Sequence, residues 1–253
     1  MTSQFSRQTG IIFTPRGFTM LTYIFLAACC VFVYRALRRQ PQSNSSHPPA
    51  TRSQRSGDEG EAAVQTELHA ALQWLCGDNF YLHPGPLLLN HAPGAEFPTA
   101  EVDHLVVTPF GIFVVETKNW AGRIEPGQDL QTVVRIGVDG LRDVRRSPMQ
   151  QNRSKVAFLR SILPGTWPVE GVAAFPHANC DLSSALPLNM MRAADLRHWL
   201  RARKSEYAST TNRPVNVLHA RRAVLAVAET APDAIERHRV KLRENPKKIP
   251  IAA

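Results

Sequence analysis

Cysteine is scarce in this chain: four residues in 253, of which Cys29 and Cys30 are adjacent inside an apolar run while Cys76 and Cys180 stand alone. That usage excludes a disulfide framework and points to a reducing compartment. A structural zinc cluster is excluded as well, because His177 and Cys180 have no second pair at ligand spacing. Acidic residues are missing altogether from residues 1–56, which hold seven arginines. The formal charge of +9 is therefore unevenly spread: residues 57–191 set nine basic side chains against fifteen acidic ones, and residues 192–253 fourteen against six. An acidic middle of −6 and a basic tail of +8 exclude a uniformly basic nucleic-acid binder, whatever the overall isoelectric point. No internal repeat is visible.

Residues 17–34, GFTMLTYIFLAACCVFVY, lack any charge. As a helix they would extend about 27 Å, close to the roughly 30 Å of a bilayer core, which predicts one N-terminal transmembrane helix. Arg35, Arg38, Arg39, Arg52 and Arg55 follow it and only Arg7 and Arg16 precede it, so the positive-inside rule places residues 35–253 in the cytoplasm, beneath an inner or plasma membrane. The alternative is a lipoprotein processed at Cys29, since LAAC at residues 26–29 is a processing-box pattern. Residues 35–56, rich in Arg, Ser and Pro, read as a basic solvated linker beside the membrane.

Beyond the linker the pattern is α/β. A helix is predicted from near Ser56 or Asp58, which would cap it, with Val64, Leu68, Leu72 and Leu75 as its buried stripe and Glu61 extending that stripe toward the N-terminus. Strands are predicted at residues 80–83 and 86–89, then a Gly/Pro-rich loop HAPGAEFP, a hairpin, and an alternating segment at 131–138. The stretch SPMQQNRSKVAFLRSILP is punctuated as a helix: Ser147 as N-cap, Pro148 at the first position, Gln150 closing a capping box, and Pro164 ending it. Its inner face carries Met149, Asn152, Val156, Leu159 and Leu163, with Gln151 at the edge. A strand at 171–175 and helices within 192–205 and 232–243 follow. Helices on both faces of a sheet are the natural packing of this order.

The hairpin carries the chemistry. In EVDHLVVTPFGIFVVETKN a turn centred on TPFG pairs Val107 with Ile112, Leu105 with Val114 and Asp103 with Glu116. Alternation then puts Asp103, Leu105, Val107, Ile112, Val114, Glu116 and Lys118 on one face, and Val102, His104, Val106, Phe113, Val115 and Thr117 on the other. Both faces are mostly apolar, so the hairpin is interior. Opposed carboxylates in such a place repel unless something positive lies between them, and Mg2+ or Mn2+ needs only two or three protein ligands. Lys118, on the same face, could contact a scissile phosphate or help position and deprotonate a water. His104 faces the opposite side and reads as a packed, hydrogen-bonded histidine.

The pattern VDHLVVTPFGIFVVETKNWAG resembles the NERD family, the nuclease-related domain of the PD-(D/E)xK nuclease superfamily. GDEGE at 57–61 and SPMQQN at 147–152 resemble two further signatures of that family. The resemblance implies a restriction-endonuclease-like mixed central sheet flanked by helices over residues 57–175, with 176–253 as a basic, mainly helical extension. It implies Asp103 and Glu116 as metal ligands, Lys118 as catalytic lysine, Glu61 as an additional acidic site residue and Gln151 as a polar helper. The expected function is a membrane-anchored, Mg2+- or Mn2+-dependent nuclease that processes DNA, favoured over RNA as partner. Arg145, Arg146, Arg153 and Lys155, with Arg142, Arg160 and the basic tail, would track the phosphate backbone. The alternative is a catalytically silent nuclease-like module that binds nucleic acid or protein at the membrane.

Overall fold

The computed structural model describes residues 52–211 and 213–244. The apolar segment 17–34, with Cys29, lies outside them; among the described residues no helix is long and apolar enough to cross a membrane.

Helix α1 (Arg52–Cys76) buries the expected stripe, with Val64, Leu68 and Leu72 fully enclosed. It begins upstream of the expected caps and runs through Ser56 and Asp58, because Arg52–Arg55 contains no Pro or Gly to stop it. Ser56 is held instead by Asn119, whose Nδ2 donates to the Ser56 carbonyl at 2.7 Å.

Short strands β1 (Tyr81–Leu82), β2 (Leu87–Asn90) and β3 (Thr99–Val102) precede the hairpin of β4 (His104–Thr108) and β5 (Gly111–Thr117). Its register is the expected one: Val107 lies opposite Ile112 and Leu105 opposite Val114. Both strands are buried along their whole length, as an interior hairpin requires. Thr108 fixes the turn, accepting from the Phe110 N–H at 3.2 Å and donating to the Gly111 carbonyl at 2.9 Å.

Asp103 departs from the simple alternation. β3 pairs with β2 in a three-stranded sheet whereas β4 belongs to a five-stranded one, so Asp103 is a one-residue joint between two sheets rather than a strand residue. The bend moves Val102 off the expected His104 face and into the same core as Leu105 and Val107. Ladder pairing accordingly ends at His104 and Val115, one step before Asp103 and Glu116 would pair.

After β5 the chain forms a meander, β6 (Gly122–Pro126), β7 (Thr132–Ile136) and β8 (Arg142–Arg146), joined in parallel to β6 by β10 (Cys180–Leu182). Gly122 admits no side chain: its φ is +96°, and a Cβ would lie 2.1 Å from the Ile136 carbonyl oxygen. Helix α2 (Pro148–Ile162) then returns to the main sheet. Pro148 opens it as expected, but the Ser147 side chain makes no capping bond, so the capping box does not form.

Strand β9 (Val169–Phe175) runs parallel to β5, and β11 (Met190–Arg192) parallel to β9, completing a mixed sheet in the order β1-β4-β5-β9-β11. A 3-10 turn at Ala193–Asp195 leads into α3 (Leu196–Thr210), followed by α4 (Val217–Leu225), β12 (Ala228–Glu229) and α5 (Pro232–Arg243). On one face of the sheet Val106, Phe113, Val115, Val172 and Ala174 pack against α1 and against Leu196 and Leu200 of α3. Across the sheet Leu105, Val107, Ile112 and Val114 meet Leu159 of α2 and Ala220 and Val224 of α4. The result is a mixed α/β fold with helices on both sides of its central sheet.

Candidate active site

At the C-terminal end of β5 the side chain of Glu116 is enclosed between two ammonium groups. Lys118 Nζ donates to its Oε1 at 2.6 Å and Lys155 Nζ to its Oε2 at 2.7 Å. Lys118 stands one residue past the end of β5, two on from Glu116, where its N–H still bonds the Ala174 carbonyl at 2.9 Å and continued alternation keeps it on Glu116's face. Lys155 comes from α2, where Asn152 one turn earlier donates through Nδ2 to the carbonyls of Val114 and Val172, both at 3.0 Å. That double bond ties the helix to β5 and β9 at once. It needs the close approach permitted by Gly171, whose added Cβ would lie 3.2 Å from Asn152 Cβ.

Asp103 joins the cluster from the joint between β3 and β4. Its Oδ2 accepts from the Thr117 N–H at 2.7 Å, leaving Oδ1 without a donor among the described residues. Burial, then the neighbouring Glu116 charge, push the Asp103 carboxyl up to about 7 against the opposing pull of Lys155 and Lys118. Glu116 goes the other way. Burial raises its pKa, but Lys155 and Lys118 outweigh burial and hold it below the usual carboxylate range. Burial would lower Lys118, yet Glu116 and Asp103 more than compensate and keep it a firm ammonium. Two neighbouring carboxyls with opposite shifts are a pattern of functional sites.

Glu61 approaches from α1. The motif that brings it there is explained by packing: Gly60 is buried against Asn119, and an added Cβ would lie 2.7 Å from Asn119 Cβ. Burial raises Glu61, with Arg239 opposing and Glu101, Asp58 and Glu116 reinforcing the shift. Arg239, on α5, binds both carboxylate oxygens of Glu101 with Nε, at 2.9 and 3.1 Å, and its Nη2 lies 3.9 Å from Glu61 Oε2.

Behind the site lies the histidine of the opposite face. Gln65 Nε2 donates to the His83 carbonyl at 2.8 Å, which turns Gln65 Oε1 toward His104 Nδ1, also at 2.8 Å. Nδ1 must then carry the proton, and His104 Nε2 accepts from the Thr117 hydroxyl at 3.0 Å. Burial depresses His104 to about 4. It is a neutral, packed residue.

The remaining expected site residues are dispersed. Gln151 donates to the Arg146 carbonyl at 3.4 Å, at the N-terminal end of α2. Arg146 and Arg153 are exposed; Arg145 bonds Asp143 through Nε at 2.6 Å and lies 5.3 Å from the centre of the Trp120 ring. Arg142 pairs with Glu125, and Arg160 holds the Val169 carbonyl. Lys155 is the exception among the proposed phosphate contacts: at 4 % exposure it is an interior residue. The signal for this was legible, because Lys155 lies one turn from both Asn152 and Leu159 on α2's buried stripe, as anomalous there as Glu61 on α1. Glu101 and Arg239 carried no comparable signal, being brought together only by the docking of α5.

Among the described residues no three His, Cys, Asp or Glu side chains converge as a ready cage for a metal. The donor chemistry nevertheless fits a hard divalent cation: Asp103 keeps Oδ1 open beside the Glu116 charge, Glu116 Oε1 is held only by the partly exposed Lys118, and Mg2+ commonly takes one or two carboxylates and fills its shell with water and substrate oxygens.

The model of the nuclease-related domain family matches residues 56–176, a span that contains Glu61, Asp103, Glu116, Lys118 and Lys155. An uncharacterized protein of Bacillus anthracis is 31% identical over 84 residues, covering 33% of this chain and 39% of the relative. The chain thus spans about two fifths of the length of the curated relative it matches. No solved structure matches the chain.

Proposed function

Since residues 56–176 belong to the nuclease-related domain family, we propose that the chain is a divalent-metal-dependent nuclease that hydrolyses phosphodiester bonds in DNA. The observation that supports this best is the placement of Asp103, Glu116 and Lys118 together at the end of β5, with Glu116 held at 2.6 Å by Lys118. Asp103 and Glu116 would hold Mg2+ or Mn2+, which supplies Lewis-acid polarisation of a phosphoryl oxygen when bound. Lys118, partly exposed and bonded through its ammonium to Glu116, would turn that ammonium to the phosphate and neutralise charge that builds there. Glu61 stands at the rim of the cluster as an acceptor for the proton of an attacking water. Exposed Arg146 and Arg153 flank the start of α2 and would track the backbone of the bound strand.

We place this activity at a membrane, with residues 17–34 as a single-pass anchor and residues 35–253 in the cytoplasm; lipid attachment at Cys29 is the competing anchorage. Carbonate extraction of membranes and lipid labelling of a Cys29→Ser variant distinguish the two.

A second reading is favoured by one observation: both oxygens of Glu116 are already taken by lysines. In that reading the ion cluster is a scaffold and the module binds nucleic acid or protein without turnover. The deciding experiment is cleavage of single- and double-stranded DNA and RNA with Mg2+ or Mn2+, with Asp103→Asn and Lys118→Ala as controls. Cleavage lost in both folded variants supports the enzyme; retained binding without cleavage in the wild type supports the scaffold.

A further inference from the structure

Lys118 and Lys155 grip the same carboxylate, but their surroundings differ. The Lys118 side chain is 18% exposed, whereas that of Lys155 is 5% exposed and lies in the interior. A buried ammonium cannot reach a phosphate outside, so the two lysines have separate tasks. Lys155 is also held firmly: Asn152, one turn before it, clamps the Val114 and Val172 carbonyls, and Leu159, one turn after it, is fully buried. Val114 is two residues from Glu116 on the same strand, so the spacing between Lys155 and Glu116 is set by the packing of α2 rather than by the freedom of a long side chain.

Resting on the metal-dependent reading above, we propose that Lys155 is a positioning residue whose ammonium stands where a second divalent cation would bind, so that the site takes one cation and not two. Two-metal phosphodiesterases hold their cations about 3.5–4 Å apart. Both oxygens of Glu116 accept from lysines, but Lys118 on Oε1 is partly exposed and free to turn aside, whereas Lys155 on Oε2, at 2.7 Å, is buried and fixed, so the oxygen left for a second cation stays taken. The charges agree. Asp103, Glu116, Lys118 and Lys155 sum to zero when ionised, and Arg239 against Glu61 and Glu101 beyond them leaves one negative charge. One dication brings the whole to a single surplus positive charge, which an incoming phosphodiester matches. A second would raise that surplus to three.

The test is Mn2+ binding by the full chain, with free Mn2+ followed by electron paramagnetic resonance during equilibrium dialysis. One Mn2+ per wild-type chain is expected. Lys155→Met should admit a second Mn2+ or tighten the first by about tenfold or more, because a unit charge next to the ligand has been removed. Lys155→Arg should return the wild-type count. Two Mn2+ per wild-type chain, or a folded Met variant with unchanged count and affinity, overturns the proposal. Should the Met variant fail to fold by circular dichroism, the wild-type and Arg counts decide alone. No uptake by any of the three proteins overturns the hydrolytic reading itself, an outcome separate from either result above.

Discussion

Gly60 lies so close to Asn119 that a methyl group on it would come within 2.7 Å of Asn119 Cβ. The atom in the way is the root of a side chain, not its mobile end, so α1 or the turn after β5 must shift. Gly60→Ala should therefore destabilise by about 1–3 kcal/mol despite the better helix propensity of alanine. Thermal unfolding checks this, and the double variant Gly60→Ala, Asn119→Gly should regain part of the loss. An unchanged melting temperature in the single variant would show that the contact is slack.

His104 gives the fold a defined acid sensitivity. Its folded-state pKa of about 4 lies below the ordinary 6.5, so the unfolded chain binds the extra proton across that interval. Stability from His104 is complete above pH 6.5 and is lost as pH falls toward 4, by up to about 3 kcal/mol. The difference in unfolding free energy between wild type and His104→Gln, measured from pH 4 to 8, isolates this contribution from that of the carboxylates. A difference that is flat with pH would mean that the ring takes up its proton equally in the folded and the unfolded chain.

Asp103 acts in the opposite sense. A carboxyl raised to about 7 costs stability as pH climbs from its ordinary value of 3.8 through 7, because the folded state then prefers the proton that solvent removes. Asp103→Asn can still accept from the Thr117 N–H and carries no charge. In the absence of metal it should be more stable than wild type at pH 8, by on the order of 1–3 kcal/mol, while losing cleavage. Denaturant titration with chelator present tests the first half; a destabilised variant would contradict the assigned shift.

Arg239 ties α5 to the site through Glu101, whose side chain is 16% exposed. Arg239→Ala leaves that carboxylate with its charge and no partner, which should cost about 1–2 kcal/mol. Hydrogen exchange over Pro232–Arg243 should quicken at the same time. Exchange that stays at the wild-type rate would indicate that α5 is held instead by other contacts, such as the 2.9 Å hydrogen bond between the Thr99 hydroxyl and His238 Nδ1.

Local pattern made much of this architecture readable. Alternation placed β4 and β5 and their register, periodicity placed the buried stripe of α1, and proline punctuation placed the ends of α2. What stayed hidden was non-local. The joint at Asp103 depends on β3 pairing with β2 while β4 pairs with β1 and β5, and no short window of sequence contains that choice. The stripe of α2 marks Lys155 as interior, but its partner Glu116 lies 39 residues away, and no local pattern names it. Arg239 and Glu101 are separated by 138 residues and met only once α5 had docked. The failed capping box shows the reverse case, in which a correct local motif does not form its bond.

Strand β11 and helix α3 both begin after residue 176, where likeness to the family stops. Yet Leu196 and Leu200 seal the same apolar layer as Phe113 and Val172. A fragment trimmed to the limits of kinship would bare that layer to water and aggregate, so the border of shared ancestry falls inside the cooperative unit. Any reagent made from this protein has to be cut by packing, and must keep the stretch through Arg243.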